Sequence, residues 1–208
     1  MTPASIAFKA RTGRAIVVVL AGDANAPQVL ERTMVPLLPP GEFAPYHAAE
    51  GLEPKAAHEH VSAAIDRARG LAQRALREAA ASCTRSGHAV RGCAVLVGTG
   101  MPTWTTDEIL AVHVRMHQAE GELFRNVLVD AARAEGTPLT TLPEKTALDA
   151  AALRLGMTRS QLDARLAALG KQAGSPWGKD QKEAAAAAWV VLQAATAVKP
   201  QGRRDARA

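Results

Sequence analysis

A chain of 208 residues, 48% of them hydrophobic, can bury a sizeable core, and its length suits one domain with an insertion better than two full domains. The formal net charge of +5 and pI near 9.6 are compatible with an acidic partner such as DNA or RNA, whereas an aromatic content of only 3% argues against a surface built for stacking bases. Cys83 and Cys93 are too few for a zinc framework and read as reduced residues of a cytoplasmic protein, and no apolar run is long enough for a membrane-spanning helix.

Three strands joined by short turns are expected first: Ser5 to Ala10, Ala15 to Ala21 and Gln28 to Leu37, with Thr12-Gly13 and Gly22 to Pro27 between them. Short connections imply antiparallel neighbours. The run AIVVVLA, preceded by Lys9, Arg11 and Arg14, also mimics an export leader, but Ile6 and Phe8 alternate ahead of it as they would in a strand. A proline-rich loop follows from Pro39 to Pro54, then a long helix from Lys55 to Cys83 with Val61, Ile65, Ala68, Ala72 and Leu76 at helical spacing. Gly92 to Val97 is a near-continuous apolar run, the pattern of a strand buried on both faces, and Gly98-Thr99-Gly100 ends it. That glycine turn lacks the lysine and spacing of a phosphate-binding P-loop and reads as a tight turn.

Thr105 to Glu108 forms a capping box for a helix expected to run without interruption from Thr106 to Glu135. At ~100° per residue, His113, His117 and Glu120 fall within about 60° of one another. They share the apolar stripe of Ile109, Met116, Phe124 and Val127, so the two imidazoles should be largely buried and close to the loop around Tyr46, His47 and Glu50. Two readings are open. Imidazole and carboxylate at this spacing can gather a zinc, manganese or iron ion, or the same groups can form a hydrogen-bonded polar cluster that braces the loop.

Gly136 stops that helix, Pro138 to Leu142 is a short strand, and helices follow at Thr146 to Leu155, Thr158 to Leu169 and Lys179 to Val198. The expected organisation is one domain over 1–198 with a helical hairpin inserted at about 146–170, and a disordered basic tail over 199–208. Ala152, Gly156 and Leu162 carry the offsets of a helix-turn-helix, which would make Arg159, Ser160 and Arg165 phosphate- or base-facing.

The element order, three strands, helix, strand, helix, strand and then helices, resembles the ribonuclease H-like superfamily. The last helix resembles that of its Holliday-junction resolvase branch, opening Lys179-Asp180-Gln181-Lys182-Glu183 before alanine-rich sequence. The resemblance implies an α/β fold with a mixed five-stranded sheet, an antiparallel meander plus two parallel strands, flanked by helices. It further implies that Asp180 and Glu183 face the sheet, where oxygen ligands suit Mg²⁺ or Mn²⁺, and that DNA or RNA is the partner, with Lys179 at its backbone. Two positions depart from the family's acid set: Lys9 stands in the first strand and Gly98-Thr99-Gly100 at the end of the fourth. A conventional two-metal nuclease is therefore not expected, and any catalysis would draw on Glu120 as well as Asp180 and Glu183. The alternatives are a non-catalytic scaffold on the same fold or a small-molecule metal hydrolase, and a homodimer is compatible with all three.

Overall fold

The computed structural model describes residues 1–42 and 44–197, so the expectation of a basic tail at 199–208 lies outside the described residues. Strands β1 (Thr2–Arg11), β2 (Arg14–Asp23) and β3 (Ala26–Pro36) form the antiparallel meander, with Ala7 opposite Val18 and Val18 opposite Arg32. The β1–β2 turn is closed by Gly13 at φ 70°, a left-handed conformation that glycine adopts without steric cost. Helices α1 (Pro45–Ala48) and α2 (Pro54–Arg85) then return the chain to β4 (His88–Val97), which pairs in parallel with β1, Phe8 opposite Val95. Helices α3 (Thr106–Leu110) and α4 (His113–Ala134) lead to β5 (Leu139–Pro143), parallel to β4. The sheet order is β3-β2-β1-β4-β5. A 3₁₀ turn at Glu144–Thr146 precedes α5 (Ala147–Arg154), α6 (Arg159–Ala173) and α7 (Lys179–Ala197).

The central strands are apolar on both faces because helices cover both. Ile6, Phe8, Val17 and Val19 face α2 and α4, while Ala7, Val18, Leu20, Ala94 and Leu96 face α5, α6 and α7. Side chains alternate along a strand, so Lys9 shares the α7 side with Ala7. Helix α7 lies close against the sheet because Ala184 to Ala188 are fully buried and add almost no bulk. Two long-range hydrogen bonds fix it there: Ser5 Oγ donates to the Ala188 carbonyl at 2.7 Å and Trp189 Nε1 to the Ala24 carbonyl at 2.7 Å. On the other face, α2 packs through Ala57, Ala64, Ala68 and Ala72 by the same device. Burial pushes both thiols up, Cys93 to about 12, as suits inert packing residues.

Two segments differ from their sequence expectation. The loop at 39–54 contains the short α1. The helix expected from Thr106 to Glu135 is broken, with Val112 extended at φ −140°, ψ 112° between α3 and α4. No glycine or proline marks the break. It is sustained by substitute hydrogen bonds, the Arg115 guanidinium donating to the Glu108 carbonyl at 2.9 Å and the Arg115 N–H to the Val112 carbonyl at 2.8 Å.

The alanine contact of α7 has a testable corollary. Ala187→Leu should lower unfolding free energy by about 1–3 kcal/mol in denaturant titration, because the added methylenes must push helix and sheet apart. An unchanged midpoint would show that the interface has room to spare.

Candidate functional site

At the C-terminal end of β1, on the α7 side, Lys9 is 2% exposed and its ammonium sits among three carboxylates. It is paired directly with Glu183, lies 3.1 Å from Asp180 Oδ1 and lies 3.8 Å from Glu144 Oε1. Three elements converge to make this arrangement. β1 supplies the lysine, the 3₁₀ turn directly after β5 supplies Glu144, and the start of α7 supplies Asp180 in its first turn and Glu183 about one turn later on the same face. Negative charge is favoured at that end of α7 by the helix dipole.

A second ring of cations closes the cluster. Arg11 Nε donates to Asp180 Oδ2 at 2.8 Å, and its Nη2 pairs with Oδ1. Arg125 Nε and Nη2 donate to Glu144 Oε2 at 2.9 and 2.6 Å, and Arg125 Nη1 reaches Glu122 Oε1 at 3.3 Å. The hydrogen bond from Arg11, with Lys9 adding to it, holds the Asp180 carboxyl below the usual aspartate range despite partial burial, and Asp180 in turn raises Arg11.

This centre does not fit a Mg²⁺ or Mn²⁺ pair. Asp180 and Glu183 face the sheet as the helical wheel implies, but what they meet there is a protonated amine tethered to β1. Gly98, just past β4, faces the Glu122 carboxylate and the Arg125 guanidinium, which a side chain begun there would have to displace. Both departures from the acid set are thus complemented by cations, Lys9 at one position and Arg125 at the other. Sequence reasoning misses Glu144 and Arg125. For Glu144 the only signal is a charged residue just past a strand end, and for Arg125 a charged position off the apolar stripe of its helix.

A second constellation lies on the α2/α4 side. His47 of α1 meets His113, the first residue of α4, and His117 one turn later, with ring centroids 5.2, 4.6 and 4.7 Å apart for the three pairs. The Nε2 atoms of His113 and His117 are 3.1 Å apart, and one ligand nitrogen from each of the three rings lies within 4.8 Å of the others. Glu120 is 3% exposed; its Oε1 accepts from the Tyr46 N–H at 2.8 Å and lies 3.4 Å from His47 Nδ1. Burial pushes the Glu120 carboxyl up, and the Tyr46 N–H pulls it part of the way back. A cavity of about 390 Å³ opens beside these groups, lined by Thr12, Ala44, His47, His117, Glu120 and Gly121.

The expectation that His113 and His117 are largely buried is corrected, since both are exposed. The break at Val112 puts His113 at the mouth of a new helix instead of inside a continuous apolar stripe, and His117 follows one turn later at the same exposed end of α4. Their closeness to the His47 loop and the burial of Glu120 are as expected. Glu50 is exposed and outside the cluster.

The hairpin of α5 and α6 packs Ala151, Leu155, Leu162 and Leu166 into the core beside α7. Arg159 is engaged within the hairpin, 2.8 Å from Asp149 and 3.1 Å from Asp163, while Ser160 is exposed. Arg165 reaches the Asn25 carbonyl at 3.4 Å and lies over the Trp189 ring, 5.9 Å from its centroid. Lys179 is 79% exposed, 3.8 Å from Glu183 Oε1.

No protein-family model and no curated protein matches this sequence. Among solved structures, Thermus thermophilus RuvC superposes with a TM-score of 0.51 at 12% identity, covering 93% of this chain and 96% of that one. The chain shares the fold of this RuvC structure, a ribonuclease H-like mixed sheet flanked by helices. A structure of T. thermophilus RuvC in complex with a Holliday junction substrate gives a TM-score of 0.48, also at 12% identity, covering 93% and 94% of the two chains. On this fold, Lys9 stands near the end of the central strand.

Removing that lysine should be costly. Lys9→Met leaves the buried Glu183 carboxylate without its direct partner and is expected to destabilise by about 3–5 kcal/mol in denaturant titration, with Mg²⁺ recovering part of the loss by entering the vacated centre. A variant as stable as the wild type would show that the carboxylates do not need the amine. Asp180 adds a pH signature. Because its folded pKa is depressed, its contribution is present above the ordinary aspartate pKa and is lost as pH falls through the lowered value. The stability gap between wild type and Asp180→Asn should therefore be full near neutrality and close in acid; a gap that widens in acid would contradict the assignment.

Proposed function

We propose that this protein binds nucleic acid at the β1/α7 end of a resolvase fold and does not cleave it by two-metal chemistry. The observation that carries the reading is the Lys9 ammonium held by Glu144, Asp180 and Glu183, because a cation built into the chain takes the place that hydrated Mg²⁺ would need. The surrounding charge supports the binding half. Arg14 stands opposite Arg11 across the β1–β2 hairpin, Lys145 follows Glu144, and Lys179 and Lys182 flank Asp180 in the first turn of α7. With the carboxylates neutralised from within, these outer cations are left to meet phosphates, which give affinity without sequence readout.

The fold shared with RuvC makes a four-way junction the first probe, with duplex and RNA–DNA hybrid beside it. Binding should weaken steeply with salt, and Lys145→Gln, Lys179→Gln and Lys182→Gln together should lower the log–log salt slope by about one for each phosphate that is no longer neutralised. No cleavage is expected with Mg²⁺ or Mn²⁺. Cleavage abolished by Asp180→Asn would overturn the non-catalytic half of the reading, and salt-independent or absent binding would overturn the other.

A further inference from the structure

We infer that His47, His113 and His117 form a binding site for a divalent metal of the zinc class, on the opposite face of the sheet from the Lys9 cluster and independent of nucleic-acid binding. Four observations converge. The three rings come from two elements, α1 and α4, and present ligand nitrogens within 4.8 Å of one another. Tetrahedral coordination at Zn–N distances of about 2.0–2.1 Å sets neighbouring nitrogens about 3.3 Å apart, and the His113 and His117 Nε2 atoms already stand at 3.1 Å. The remaining pairs, within 4.8 Å, close by at most about 1.5 Å around an ion.

The second observation concerns tautomers. His47 turns its Nδ1 toward Glu120 at 3.4 Å, which favours the proton on that nitrogen and leaves Nε2 as a lone-pair donor. That Nε2 is buried and has no hydrogen-bond partner among the described residues. A buried acceptor without a partner is costly, and a metal ion is the partner that would also engage His113 and His117. Third, Glu120 is fixed by the Tyr46 N–H while its Oε2 is likewise buried without a partner among the described residues, so the group that orients His47 itself keeps an unpaired oxygen. Fourth, the cavity of about 390 Å³ beside His47 and His117 leaves a coordination position open to water or an exogenous ligand. Three protein ligands with an open fourth position is the donor arrangement of zinc sites that act on substrates.

The chemistry of the donors selects the ion. Imidazole nitrogens suit Zn²⁺, Co²⁺, Ni²⁺ and Cu²⁺ and are poor ligands for Mg²⁺ or Ca²⁺, which prefer oxygen. The i, i+4 pair on α4 fixes two ligands rigidly, and His47 closes the site from α1.

The test uses the untagged full chain, stripped with chelator and titrated with Zn²⁺ and Co²⁺ in the absence of nucleic acid. Expected are one equivalent bound, a rise in melting temperature, and visible d–d absorption from low-coordinate Co²⁺. Glu120→Gln should weaken binding by about 10–100-fold, as loss of a ligand-orienting carboxylate does. Each of His47→Ala, His113→Ala and His117→Ala should weaken it further, and His58→Ala, on the exposed face of α2, should not. Because His113 and His117 are exposed, their double alanine variant should keep the metal-free melting temperature, which separates loss of the site from loss of the fold. Retention of one equivalent by that double variant, absence of the Co²⁺ spectrum in the wild type, or a larger melting response to Mg²⁺ than to Zn²⁺ would overturn the assignment. None of these readouts depends on the Lys9 cluster, so failure here and failure of nucleic-acid binding are distinguishable.

Discussion

A buried ammonium that must be neutralised on several sides at once sets the terms for the whole end of the sheet. Taking an amine or a carboxylate out of water costs several kcal/mol, while one ion pair at an effective dielectric of about 20 returns only about 4 kcal/mol at 4 Å. One partner would not hold Lys9 in place. Glu183, Asp180 and Glu144 together can, and they come from α7 and from the turn after β5. The ion cluster therefore requires the parallel half of the sheet and the last helix to be assembled, which joins the first strand to the last helix through charge as well as through packing.

The meander and the buried place of β4 are legible in the amino-acid pattern, from short turns and from an apolar run buried on both faces, while the parallel strands follow from the resemblance in element order. The capping box at Thr105 locates the start of α3 for the same local reason. What pattern alone cannot show is the break at Ala111-Val112, where neither residue is a helix breaker and the interruption is held by the Arg115 guanidinium reaching back to Glu108. That break puts His113, and His117 one turn later, at the exposed start of α4. Glu144 is silent in the sequence, and His47 is legible only as part of a loop near the histidine helix, because the importance of both comes from what the fold brings beside them. Each sits in an irregular stretch without a periodicity to read, and each meets its partners on other elements.

The two clusters divide ligand chemistry between the faces of one sheet. On the α7 side oxygen donors are saturated by nitrogen cations, Lys9, Arg11 and Arg125. On the α4 side nitrogen donors gather around one carboxylate that has an oxygen without a partner among the described residues. Helix α4 contributes to both, with His113, His117 and Glu120 toward one and Glu122 and Arg125 toward the other. A helix that serves two clusters in this way has few exposed turns free to vary without disturbing one of them.

The run of alanines on α7 has a mechanical meaning. An alanine side chain has no rotamers, so a contact made of Ala184 to Ala188 offers no torsion through which helix and sheet could slip and re-pack. The joint is stiff by subtraction. Displacement of the backbone at Asp180 and Glu183 relative to β1 then carries the helix with it, resisted near the middle of α7 by the hydrogen bonds of Ser5 and Trp189. The position of the carboxylates is in effect a property of the sheet, transmitted along a rod, and thermal motion at their end of the fold should follow the sheet's own modes more closely than those of the surrounding loops.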